Sequence, residues 1–184
     1  MRKSILAILL IIPILFLGVQ GIAQEKSTHK FVGVVSCAPC HKSEKQGKQF
    51  DIWKSSGHAQ AFHTLETPKA DSIAKAKGLK TAAKESPECL KCHVTANGVD
   101  AKLIAASFKQ VDGVQCETCH GPGSDYKAIS VMKDKAKAIA AGLTIYKDDP
   151  KLCTTCHSKE SPTFKGFKYE EHWAKIKHSI PKKG

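Results

Sequence analysis

Apolar residues are distributed in two ways along this 184-residue chain. Residues 5–17 form one almost continuous apolar run behind Arg2 and Lys3, and Gly21-Ile22-Ala23 follows with the small residues a signal peptidase reads. The run is short for a membrane span. It predicts a signal peptide over 1–23, cleaved after Ala23, and a mature chain of residues 24–184 with no integral span. Beyond it, large apolar residues come singly, at helical spacing. Residues 42–54 read as a helix with Phe50 and Trp53 on one side, broken by Ser55-Ser56-Gly57. Residues 58–65 resume it with Phe62 and Leu65 inward, and Pro68 ends that piece. Residues 69–84 form an Ala/Lys helix interrupted at Gly78. Residues 99–114 fit a short helix or a hairpin turning at Asp112-Gly113. Residues 125–140 place Tyr126, Ile129, Ala136 and Ala140 on one stripe before Gly142, and residues 169–178 place Tyr169, His172, Trp173 and Ile176 on one face. No strand pattern stands out.

Four short stretches carry the chemistry. Cys37-Ala38-Pro39-Cys40-His41 is echoed by Cys89-Leu90-Lys91-Cys92-His93, Cys116-Glu117-Thr118-Cys119-His120 and Cys153-Thr154-Thr155-Cys156-His157. All eight cysteines are used. C-x-x-C-H is the attachment site of a c-type haem. Two sulfurs one helical turn apart reach the two vinyl groups, and the adjoining His gives a nitrogen to the iron. With nine His in the chain, chance puts His after all four pairs on the order of once in 10^5. Four disulfides or zinc knuckles would use the cysteines but do not require His after each pair. Ser36, Ser86 and Asp149 stand where they can cap the motif helices, with Pro87 and Pro150 at first helical positions.

Composition then sharpens the fold. Alanine and lysine dominate, and large apolar residues are too sparse for a self-sufficient core. The expected architecture is mainly α with little β: short helices packed around four covalently bound haems. The apo-chain should be unfolded or molten. The net charge of +12 becomes +10 without Arg2 and Lys3, and those residues include the chain's single arginine. Haem propionates remove roughly four to eight of these charges. The absence of mature arginine weakens the usual nucleic-acid reading, and no nucleic-acid partner is expected. Lys42, Lys45, Lys48 and Lys91 instead suit an acidic redox partner.

Five histidines lie outside the motifs: His29, His58, His63, His172 and His178. A second imidazole makes an iron a low-potential carrier, whereas an empty sixth position admits small ligands. On one helix, His58 and His63 would point about 140° apart and His172 and His178 about 240° apart, so neither pair would serve one haem. His29 lies in a polar N-terminal stretch.

Trp53-Lys54-Ser55-Ser56-Gly57-His58-Ala59-Gln60-Ala61-Phe62, Gly113-Val114-Gln115-Cys116-Glu117-Thr118-Cys119-His120-Gly121-Pro122-Gly123 and the closing 169–178 segment resemble the tetrahaem cytochrome c-554 family. The resemblance implies a helical fold with haems stacked in close pairs, three irons with two His ligands and a five-coordinate second haem. It implies His58 as distal ligand of the third haem (His120) and His178 as that of the first (His41), with the second (His93) open. The chain departs from the pattern after Gly-Pro-Gly. Related cytochromes place a His there that closes the fourth haem, and this sequence reads Ser124-Asp125-Tyr126-Lys127. For the fourth haem (His157), His172 comes first, then Met132 and His63. Tyr126 would pack on a porphyrin or, less simply, ligate as tyrosinate.

Taken together, these residues describe a periplasmic electron carrier rather than an enzyme. It would exchange electrons with periplasmic or membrane-bound redox proteins through its lysine-rich surface. The alternative is a small-molecule redox enzyme, acting on nitric oxide, nitrite or hydroxylamine at an open haem.

Overall fold

A computed structural model describes residues 28–146 and 149–178; the signal segment lies outside them. Ten short α-helices follow one another: α1 (Ala38–His41), α2 (Gln49–Lys54), α3 (Ala61–Thr64), α4 (Pro68–Ala76), α5 (Pro87–His93), α6 (Cys116–His120), α7 (Ile129–Met132), α8 (Lys135–Ala140), α9 (Lys151–Thr154) and α10 (Tyr169–Ile176). Among the described residues, extended pairing is limited to one parallel bridge between Phe31 and Ile104. The mainly α expectation holds.

The helices are shorter than the spacing predicts, because local caps interrupt them. The 42–54 helix divides where the Ser43 side chain accepts from the Gln46 N–H and Gly47 turns left-handed at φ 95°. The 125–140 helix divides at Asp134, whose carboxylate accepts from the N–H groups of Ala136 and Lys137 and starts α8. The break dissolves the expected stripe: Ile129 is 59% exposed, while Tyr126 and Ala138 are buried. Thr67 caps α4, and Pro68 fills its first position. Among the three expected motif caps, Asp149 accepts from the Lys151 N–H at 2.9 Å. Ser36 donates to the Val32 carbonyl and Ser86 to Glu88 instead. Pro87 opens α5 as expected, whereas Pro150 sits one residue ahead of α9.

The apolar core is small and local. Phe62, Leu65, Ala74, Ala83, Leu90 and Val94 pack α3 and α4 against α5, the helix that carries the second motif. The other motifs are held by polar contacts. Trp53 Nε1 donates to the Val114 carbonyl at 2.8 Å, fixing α2 to the approach of α6.

Candidate haem sites

Each C-x-x-C-H stretch builds its own helical turn. The first motif forms α1 and the third forms α6; the second closes α5; the fourth begins in α9 and ends just beyond it at His157. Seven of the eight cysteines are half-buried and Cys40 is exposed; none is paired in a disulfide. In each motif two sulfurs one turn apart precede an imidazole, which is the donor set a thioether-linked haem requires.

The cysteines of different motifs meet in a definite order. Cys116 hydrogen-bonds Cys37, joining the third motif to the first and holding the Cys37 thiol below its usual range. Cys119 is within electrostatic reach of Cys153, and burial pushes it up to about 11. Cys92 lies against Cys156, and burial pushes it up to about 11 as well. The order of proximity is therefore first, third, fourth, second. Lys91 Nζ reinforces the last junction by donating to Glu160 at 3.0 Å. A polypeptide brace from Thr95 to Thr118, Oγ1 to Oγ1 at 2.6 Å, ties the second motif to the third.

The imidazoles form facing pairs. Two imidazoles on one iron, each nitrogen about 2 Å from the metal, have ring centroids roughly 6 Å apart. His120 and His178 stand 5.7 Å apart. His58 and His157 stand 6.1 Å apart, as do His157 and His172. Burial depresses the basicity of His58, His157 and His178, and the facing ring adds to it in each case. A neutral ring is the form that binds metal.

The chain also fixes several rings by their Nδ1 edges, which leaves Nε2 to face a metal. His93 Nδ1 donates to the Ala61 carbonyl at 2.6 Å and lies 3.1 Å from Thr64 Oγ1. His120 Nδ1 donates to the Thr144 carbonyl at 3.0 Å, His172 Nδ1 to the Lys168 carbonyl at 2.8 Å, and His41 Nδ1 to Gln49 Oε1 at 3.2 Å.

The pairings differ from those the resemblance implies. His58 faces His157 rather than His120, because its turn is clamped upstream of α6. The His58 carbonyl accepts the Val114 N–H at 3.0 Å. Gly113, at φ +69°, lies so close that a Cβ there would come within 2.6 Å of the same oxygen. His178 lies past the end of α10 and faces His120; His41 is the weakest of the influences on it. His172 meets His157, with Phe167 4.8 Å from both rings. His63 pairs with Glu66 and His29 with Asp125, each at 2.8 Å. Met132 ends α7, half-buried. Tyr126 donates its hydroxyl to the Gly121 carbonyl at 2.7 Å, and burial raises its pKa. That hydroxyl holds the Gly-Pro-Gly turn.

Glu117 is the residue that sequence reasoning passed over. It is 2% exposed. Its carboxylate accepts the N–H groups of Val32 and Gly33 at 2.8 Å and of Gly123 at 2.7 Å. Gln115 adds the Val34 N–H at 2.7 Å. The segment leading into the first motif is thus docked on the helix of the third. The signal was an acidic residue between two haem cysteines, a position that otherwise invites any solvated side chain.

Comparison with known proteins agrees with this architecture. The family described as cytochrome c554 and c-prime matches residues 36–121. Cytochrome c-554 of Nitrosomonas europaea is 31% identical over 152 residues, covering 75% of this chain and 62% of that protein. The chain thus spans less than two thirds of that relative's length. No solved structure matches it. Among the described residues no helix is long and apolar enough to cross a membrane. With short helices, little extended pairing and four C-x-x-C-H turns, the chain is similar over residues 36–121 to the cytochrome c554 and c-prime family.

Proposed function

We propose that residues 24–184 are a periplasmic tetrahaem cytochrome, exported by residues 1–23, that relays electrons between redox proteins. Cys37 and Cys40, Cys89 and Cys92, Cys116 and Cys119, and Cys153 and Cys156 hold four c-type haems by thioether bonds. His41, His93, His120 and His157 are the proximal ligands. Bound haem supplies the iron that takes up and gives back single electrons.

The observation that carries this reading is the order in which motif cysteines neighbour one another: Cys37 hydrogen-bonds Cys116, Cys156 hydrogen-bonds Cys92, and Cys119 lies within electrostatic reach of Cys153. Sulfurs so placed would hold haems near one another in the order first, third, fourth, second, close enough for electrons to pass between them. His178 then closes the iron of His120. His58 is the preferred distal ligand of His157, because its turn is clamped and its ring desolvated. His172 is the competing ligand for the same iron. Exposed Lys42 and Lys45 stand beside the first motif, where they suit an acidic partner. Lys48 and Lys91 are partly neutralised by Glu44 and Glu160.

Mass spectrometry of the purified native protein tests the count and the cleavage together. The expected mass is that of residues 24–184 plus four haems. A mass matching the bare chain would end the proposal.

A further inference from the structure

We infer that Gln49 is a positioning residue for the haem of the first motif: its side-chain carbonyl orients His41 and sets how strongly that ring donates to iron, and with it the potential of that haem. This deepens the four-haem reading above and rests on it.

The motif imidazoles are held in two ways. His93 Nδ1 donates to the Ala61 carbonyl and His120 Nδ1 to the Thr144 carbonyl, so a backbone atom is the acceptor and side-chain substitution leaves it in place. His41 differs. Its Nδ1 donates to Gln49 Oε1 at 3.2 Å, an oxygen supplied by a side chain. The Gln49 amide is itself oriented, because its Nε2 donates to the Gln46 carbonyl. With the amide nitrogen so engaged, the amide oxygen is the atom left to face the ring.

The backbone bends to deliver this contact. Gly47, at φ 95°, and Lys48, at φ 52° and ψ 34°, are both left-handed. Lys48 is one of two non-glycine residues with positive φ among the described residues. Side chains disfavour that region. The Lys48 N–H donates to the Ser43 carbonyl at 3.1 Å, which closes the turn, and α2 then starts at Gln49. The unfavourable conformation thus falls on the residue immediately before the one that reaches His41. Local strain of this kind persists where the surrounding structure uses it.

An acceptor on Nδ1 raises the basicity of the ring at Nε2. Ferric iron gains more from a stronger donor than ferrous iron does, so the hydrogen bond lowers the potential. A carboxylate accepts more strongly than an amide and lowers it further. An apolar side chain raises it.

The test uses the full holoprotein with haem counted by mass. Anaerobic redox titration gives the potentials, and hyperfine-shifted resonances of His41 in nuclear magnetic resonance assign the haem concerned. Gln49→Leu is expected to raise the potential of the first haem and Gln49→Glu to lower it. Each shift should be about tenfold in the reduction equilibrium, or about 59 mV for a one-electron couple, with the other haems moving less. In Gln49→Glu the His41 Nδ1 resonance should also move toward the imidazolate range, which a charge acting only through space would not produce. A fall in potential without that movement overturns the inference. So do shifts of the same sign in both variants, or potentials that stay in place while haem content or melting temperature falls. Where Gln49→Leu fails to load haem, Gln49→Glu decides by its two readouts. Absence of haem from Cys37 and Cys40 in the unsubstituted protein overturns the four-haem reading and this inference with it.

Discussion

The His58 and His157 rings stand 6.1 Å apart although they belong to opposite ends of the described chain. The separation suits two nitrogens on one metal. On the proposed four-haem reading, His58→Ala should therefore convert one haem from low-spin to high-spin without changing haem content. Electron paramagnetic resonance of the ferric protein measures it. His172→Ala should leave the spectrum unchanged; the opposite pattern would assign the fourth iron to His172.

Gly113 limits what can sit beneath that turn. Its φ of +69° is unfavourable for other residues, and a Cβ would meet the His58 carbonyl at 2.6 Å. Gly113→Ala should push the His58 turn away. The expected outcome is the same high-spin fraction as His58→Ala, together with a lower melting temperature in thermal scans.

Glu117 satisfies three backbone donors inside the protein. Removing a buried acceptor leaves each donor unpaired at about 1–3 kcal/mol. Glu117→Ala should lower stability by at least about 3 kcal/mol in guanidinium unfolding of the holoprotein. A loss under about 1 kcal/mol would mean that water replaces the carboxylate.

Asp112 behaves in the opposite sense. Its Oδ2 is buried without a hydrogen-bond partner among the described residues, and burial raises its pKa despite nearby Lys109 and His63. A carboxyl that is more basic folded than unfolded binds more protons in the native state. Stability then falls as pH rises from the ordinary carboxylate range through the raised folded value, and the penalty is fully present above it. Asp112→Asn should raise the melting temperature at pH 7. The gain should fade as pH falls through the raised folded value toward the ordinary aspartate value of 3.8, and vanish well below it, where both states are protonated.

The apolar cluster around Phe62 and Leu90 supports one motif, while the others rest on polar clamps and very short helices. Isolated helices of four to nine residues are unstable in water. A haem-free chain with its cysteines replaced by serine should show no cooperative thermal transition by circular dichroism.

Some of this was legible in the residues themselves. The four C-x-x-C-H turns, the break at Ser55-Ser56-Gly57 and the half-buried face of α10 follow from spacing alone. The distal pairings do not. His58 rides a turn whose direction is set by the Val114 N–H, a contact between remote segments that periodicity cannot encode. His178 lies beyond the last helical turn, so helical angles never applied to it. The break at Asp134 was readable as an N-cap but was masked by the alanines and lysines on both sides. Glu117 was hidden for a related reason: its partners lie 84 and 85 positions earlier in the chain.

That long reach bears on biogenesis. Val32 and Gly33 leave the ribosome well before Glu117 exists, so the seat of the first C-x-x-C-H motif stays unfinished until most of the polypeptide has been made. On the proposed reading, haem attachment at Cys37 and Cys40 would precede local folding or wait for the later segment, and a truncation before Glu117 would leave that first porphyrin tethered to a loose peptide.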